Sequence, residues 1–367
     1  MITRKVYSND KWFFHHFGFD ETVDSVYKNI VVKHNSNTNV EIISNLNKRS
    51  FNAGLFNLRS PSDYVNLPKK GNGKFHIIHG YGVKPGKFSI NDIVTNQNNE
   101  AFDGATFQAA SNFNCLEFPS TKSTASHGIS NYACDLTQGP LTAIVAPASI
   151  LYRNYFYPHD GKIGQIDSEI ELLKRTPIPI THGKATISKS QEKLLKKSNF
   201  DWTNEDNYLV GVHENCQVTT NRADPPNGTG PNHDYFQESE PGRISHQVYA
   251  SSFNFRTLVV KSDFTFGIVR NLLRSEYKST ILAALDHSIR YPGRKGSNKC
   301  VLTFVGGLAF GNPIELICKA ITDNEKVIMD SGLNVYINCF DEYAFSQAYP
   351  HLKDLMLKTG GKIIEAI

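Results

Sequence analysis

The residues of this chain best suited to chemistry lie where an apolar strand breaks into glycine. Cys300 to Phe304 read as a buried strand, followed by Gly306-Gly307, then Phe310-Gly311-Asn312-Pro313 and an apolar helical pattern. Glycines between a strand and a helix let backbone N–H groups come close to an anionic ligand, and the helix N-terminus beyond adds partial positive charge. That is the chemistry of a diphosphate cradle, with Pro313 expected as the first helical residue. The same arrangement also serves as a plain tight connection, so its meaning depends on what accompanies it.

A cradle needs a scaffold, and the hydrophobic pattern supplies one. Strand-like segments fall at 40–44, 74–79, 105–112, 208–213, 245–251, 300–305 and 335–339. Helical patterns fall at 10–30, 142–156, 165–174, 191–197, 265–291, 312–329 and 343–358. The stretch 221–243, rich in Gly, Pro, Asn and acid, reads as a loop. Strand–helix alternation dominates the second half and predicts an α/β sheet covered on both faces. Ligands of such sheets bind outside the carboxyl ends of the strands, near a switch in strand order. Asn112, Asn114, His213, the Gly306 turn and Phe340-Asp341 all fall at expected strand ends. Residues 1–100 read as an N-terminal extension packed on a core of 101–367, the whole forming one compact unit.

Composition narrows the class. Hydrophobic content of 40% and charged content of 20% suit an ordinary globular protein, and a net charge of +4 on 367 residues argues for neither a nucleic-acid nor a membrane surface. Six cysteines are scattered without a CxxC pair, which points to a reducing, cytoplasmic setting without disulfides. The N-terminus lacks the apolar core of a signal peptide, and no run reaches the ~18 apolar residues of a membrane span. His15-His16, His76 and His79 have no carboxylate or cysteine partners at zinc spacing, so neither a metal nor another cofactor is expected. GxSxG and GxxxxGK[ST] are absent, and the glycine turn is not GxGxxG, which disfavours a dinucleotide oxidoreductase.

Several blocks taken together resemble the macrodomain fold, the ADP-ribose-binding α/β module with a mixed sheet flanked by helices on both faces. They are HHFGFDE (15–21), ATFQAASNFNCLEFPS (105–120), DLTQGPLTAIVAPASILYRNYF (135–156), GQIDSEI (164–170), YLVGVHENCQVT (208–219), SHQVYASSFNF (245–255) and VLTFVGGLAFGNP (301–313). The resemblance is to the divergent branch holding poly(ADP-ribose) glycohydrolase and the MavL-type ADP-ribosylarginine hydrolases. It implies a monomer that acts on ADP-ribose or an ADP-ribosylated protein, with arginine as the linkage. A reader that binds ADP-ribose without turnover is the alternative.

The resemblance also assigns residues. It places Asn112 and Asn114, with Gln108 before them, beside the distal ribose. Phe17, Phe19 and Phe340 become candidates for the adenine and ribose, and Arg153, with Asn154, for a phosphate or for orienting the Gln138 loop. Gly306, Gly307, Phe310, Gly311 and Asn312 form the diphosphate turn. Gln138 and Gly139 match the catalytic loop of the glycohydrolase branch. The double acid of that loop is missing, however, and Ala143, Ile144 and Val145 stand at the following positions. Hydrolysis through an oxocarbenium-like transition state needs a carboxylate to activate water or stabilise charge. By the MavL resemblance Asp224 and Asp234 are the expected acids, with Glu214 and Asp135 in reserve.

Overall fold

The computed structural model describes residues 5–36, 39–82, 88–118, 120–225, 234–307 and 309–366. Its centre is an eight-stranded mixed sheet. In chain order the strands are β1 (Leu55–Arg59), β2 (Lys74–Gly80), β3 (Thr106–Ala110), β4 (Val210–Gln217), β5 (Ile244–Ala250), β6 (Lys299–Leu302), β7 (Asn334–Cys339) and β8 (Ile363–Ala366). Their spatial order is β8-β2-β7-β6-β3-β5-β4-β1. All neighbours are parallel from β8 to β5, whereas β4 runs antiparallel to both β5 and β1.

Alternation along β5 shows how the two faces are covered. All seven of its residues are buried, as expected of a strand covered on both sides. Gln247 points to one face, where its Nε2 donates to Thr142 O at 2.7 Å and to Gln97 Oε1 at 3.1 Å. Those partners belong to the helices Gln138–Ala143 and Ile93–Asn98. His246 points to the other face and stacks on His287 of the long helix Asp263–Arg290. A Ser262–Thr265 capping box starts that helix, and Ile268, Leu272, Ile281 and Leu285 form its buried stripe.

The α/β class with helices on both faces is therefore what the chain adopts, but several elements differ from the pattern. The stretch 142–156 is two helices, Gln138–Ala143 and Pro147–Tyr155, because Pro147 starts a new one. The stretch 312–329 is Ile314–Thr322 followed by Glu325–Ser331, and Pro313 is the residue capping the first, not its first member. No helix forms over 165–174, where the Gln165 N–H donates to Asn154 O and Leu172 N–H to Phe113 O. The 221–243 stretch carries a hairpin, Thr220–Arg222 paired with Tyr235–Glu238; its residues 226–233 lie outside those described. Strands β1 and β2 come from the first hundred residues, so that segment contributes two strands of the central sheet as well as the layers outside it.

Candidate functional site

The strand order reverses its course around β3. The chain passes from β2 to β3 across β7 and β6, then from β5 back to β6 across β3. Strands β3 and β6 pair only at Thr106–Cys300 and Phe107–Val301 and then part. The Gln138 amide occupies the vacated edge of β3. Its Nε2 donates to Gln108 O at 2.9 Å, and its Oε1 accepts from Ala110 N–H at 2.8 Å. This seats the start of helix 138–143 on the end of β3, so closely that a Cβ on Gly139 would fall 1.8 Å from Ala110 O and 2.5 Å from Glu117 Oε1. Gln138 thus spends its amide holding the helix in the split, a positioning task rather than contact with reacting atoms.

Glu117 is the residue that sequence reasoning missed. Its Oε1 is shut off from solvent with no hydrogen-bond partner, although the residue as a whole is half-buried at the wall of the split. Desolvation drives its carboxyl well above the usual range; Lys184 pulls it part of the way back and Asp135 pushes it further up. Lys184 is itself buried, with Nζ donating to Asn112 Oδ1 at 2.9 Å and Phe118 O at 2.6 Å, and desolvation lowers it to about 8. A carboxyl whose proton affinity is raised and an ammonium whose affinity is lowered at one wall are candidates for proton transfer. The signal was present in the sequence: Glu117 is a lone acid within Cys115-Leu116-Glu117-Phe118, an otherwise apolar run.

The glycine turn leaves β6 on the same edge. Gly306 and Gly311 both adopt positive φ, and Asn312 ties the turn shut through Nδ2 to Gly306 O at 2.7 Å and Phe253 O at 2.9 Å. Ser252, just past β5, donates its Oγ to Asn312 Oδ1 at 3.0 Å. A Cβ on Gly307 would meet Phe304 O at 3.1 Å, a tight contact that needs a shift of a few tenths of an ångström, with Phe304 Cβ and Ile317 Cδ1 beyond it at 3.4 and 3.5 Å. Phe310 is half-buried beside the turn, and Leu308 lies outside the described residues. Phe340, past β7, stays 41% exposed while its carbonyl accepts from Asn91 Nδ2 and Gly82 N–H. The ends of β3, β5, β6 and β7 thus gather Asn112, Glu117, Gly139, the 306–312 turn and Phe340 along one edge.

Other expected contacts point elsewhere. Gln108 faces the long helix, with Nε2 donating to Thr280 Oγ1 and Oε1 accepting from Thr303 N–H. Asn114 caps its own turn through Leu116 N–H and bonds Glu169. Arg153 is 0% exposed; Nε donates to Cys115 O, Nη1 meets His213 Nδ1 at 3.0 Å, and the guanidinium lies 3.8 Å over the Tyr249 ring. It is a packing cation, out of reach of a phosphate in this arrangement, and Asn154 is likewise buried, donating to Ala125 O. Phe17 and Phe19 are buried in an aromatic cluster with Phe13 and Phe51, leaving no face for a base. His213 and Glu214 lie on antiparallel β4, whose carboxyl end points to the opposite edge. Asp224 and Asp234 are exposed on either side of residues 226–233, and Asn9 N–H donates to Asp234 O at 2.7 Å. The histidines do acquire acids from far along the chain, His15 from Glu238 and His79 from Glu342 and Glu365.

Comparison with known proteins found distant likenesses of the backbone. Poly(ADP-ribose) glycohydrolase from Deinococcus radiodurans in complex with ADP-ribose matches at 8% identity and TM-score 0.41, over 82% of this chain and 95% of that one. The Thermomonospora curvata glycohydrolase bound to the inhibitor ADP-HPD gives 10% identity and TM-score 0.41, over 82% and 84% of the two chains. A macrodomain of Oceanobacillus iheyensis gives 10% and 0.36, over 83% and 99%. No protein-family model and no curated protein matches the chain.

Proposed function

We propose that this chain is a macrodomain-like ADP-ribosyl hydrolase that removes ADP-ribose from modified protein side chains, with arginine as the linkage by its resemblance to the MavL type. The observation that carries the reading is the Glu117 carboxyl at the carboxyl edge of the sheet, its Oε1 shut off from solvent with no hydrogen-bond partner against Gly139, where desolvation raises its pKa. A proton donor at that position serves departure of the side chain from the ribose carbon. Asp224 and Asp234 remain the candidates for activating water or steadying the positive charge. The 306–312 turn is assigned to the diphosphate and Phe340 to the stacking of a ring.

The test is to incubate the protein with arginine- and serine-ADP-ribosylated proteins and to measure free ADP-ribose. Release from the arginine-linked substrate is expected. Binding of ADP-ribose by calorimetry with no release from either substrate would make the chain a reader. Absence of any heat at millimolar ADP-ribose would remove both readings. Asp224→Asn and Asp234→Asn, if those acids serve the transition state, should each lower turnover by about 10²-fold or more while affinity stays within a few-fold. Unchanged turnover in both would leave Glu117 as the acid in question.

A further inference from the structure

The opposite end of the sheet holds a second cluster of reactive side chains. Val212 and Glu214 of β4 face the long helix, and with Asn57, Arg59, Tyr64 and Arg290 they line a cleft of about 340 Å³. At its wall Glu214, Asp286 and His287 each present one donor atom, all within 4.8 Å of one another. Glu214 is 7% exposed and His287 1%. The imidazole is fixed from behind, Nδ1 bonded to Thr106 Oγ1 at 2.8 Å and the ring stacked 4.1 Å from His246. Its Nε2 is buried without a hydrogen-bond partner and lies 3.6 Å from Glu214 Oε2.

A buried ring nitrogen without a hydrogen-bond partner, close to two carboxylates, is an unsatisfied arrangement that calls for a cation. Here Arg290 answers part of that call. Its Nη2 contacts Glu214 and lies 2.6 Å from Asp286 Oδ2, but it leaves His287 Nε2 unbonded. The Arg290 side chain is 39% exposed on the last turn of the helix, so it can swing into solvent.

We propose that Glu214, Asp286 and His287 form a divalent transition-metal site, for Zn²⁺ or Mn²⁺, in which the ion replaces the Arg290 guanidinium. One imidazole and two carboxylates are a mixed nitrogen–oxygen donor set of the kind such ions accept. Tetrahedral Zn²⁺ with bonds of about 2.1 Å holds its ligands about 3.4 Å apart. The contraction needed is small, and half-buried Asp286 can supply it. Three protein ligands leave a further position open to the cleft. Thr106 provides the outer hydrogen bond that fixes the tautomer and direction of a metal-bound histidine. The site lies away from the carboxyl edge and is independent of the proposed hydrolase activity.

Calorimetric titration of the full chain with zinc and manganese chloride tests this. Saturable binding at one site is expected, tighter in Arg290→Ala because the competing guanidinium is gone. Asp286→Asn, at a position open enough to keep the fold, should weaken binding by at least the about 10–100-fold that loss of an outer hydrogen-bond partner costs. Circular dichroism melting of each variant checks that the fold is kept. No saturable heat at millimolar metal, in either the intact protein or Arg290→Ala, overturns the proposal. So does binding that Asp286→Asn and Glu214→Gln leave unchanged, or an Arg290→Ala affinity no tighter than that of the intact chain.

Discussion

Glu117 and Glu276 are carboxyl groups driven toward neutrality by the same force, desolvation, yet they sit in different company. Glu276 is enclosed under the end of β5, where Oε1 accepts from Ser251 N–H at 2.9 Å and Oε2 has no partner. Its carboxyl lies well above the ordinary 4.5, raised by burial and lowered only in part by the Ser251 bond. The unfolded chain gives up this proton near its ordinary value while the folded chain keeps it to higher pH. The folded state therefore binds more protons and loses stability as pH rises above that value. Glu276→Gln keeps the acceptor and removes the titration, so its melting temperature relative to the unmodified chain should climb between about pH 5 and pH 8. A flat difference over that range would mean the group is ionised in the folded state. Glu117, by contrast, stands at the wall of the candidate site with Lys184 beside it. Glu117→Gln keeps shape and loses the proton, so release of ADP-ribose should fall by about 10²-fold or more with affinity within a few-fold. Residue type in the sequence pointed to polar groups at strand ends but not to their direction. Gln108, Asn114 and Arg153 have the chemistry of ligand contacts and spend it inside the protein, whereas Glu117 looked like one acid among many.

At the scale of elements, the strand–turn–helix at 299–322 was legible because glycine and proline act locally. The turn separates two kinds of glycine, and substitution can tell them apart. Gly306 has φ +76°, and a Cβ there would fall 2.5 Å from Ser252 Cβ and Asn312 Nδ2. Gly306→Ala should therefore destabilise the protein, by about 1–2 kcal/mol from the left-handed backbone alone and more from the clash, read as a lower melting temperature. Gly307 is not in that region, and its nearest contacts begin at 3.1 Å. Gly307→Glu should keep the fold by circular dichroism, with a melting temperature lowered less than in Gly306→Ala by the tight Phe304 O contact, while abolishing ADP-ribose binding, since it places a negative charge where the diphosphate is assigned. Unchanged affinity would move the pocket elsewhere. The hairpin at 220–222 and 235–238 was not legible, because Thr220-Asn221-Arg222 is a short polar strand with no hydrophobic alternation to announce it. The misread helix at 165–174 failed for the complementary reason: side-chain and long-range backbone partners outbid the local ladder, Gln165 Oε1 accepting from Ile170 N–H among them.

At the scale of the molecule, the sequence pattern announced alternation and hence the layered class, but not how strands from distant parts of the chain interleave. β2 sits between β8 and β7, so residues 74–80 from the first hundred form the ladder that holds the last strand of the chain. β1 in turn closes the edge of β4. The same interleaving makes β4 run against its neighbour and carries Glu214 to the far edge, a reversal no local pattern could show. If the first hundred residues were an appendage, a chain of 101–367 would fold alone. In the observed sheet its removal strips β8 of its partner and opens β7 and β4 along their backbones, leaving unpaired donors and acceptors on three strands. It also takes away Phe75, Ile77 and Ile78, all 0% exposed, from the layer between the sheet and its helices. Burying three such side chains contributes roughly 1.5–3 kcal/mol each, which together rivals the about 5–15 kcal/mol net stability of a domain. The 101–367 fragment should therefore show no cooperative thermal transition and should bind hydrophobic dye, and adding the separate 1–100 segment should restore neither a sharp melt nor ADP-ribose binding at micromolar concentration. A cooperative melt of the fragment alone, close to that of the full chain, would show that strands β1 and β2 are dispensable and that the sheet can close without them.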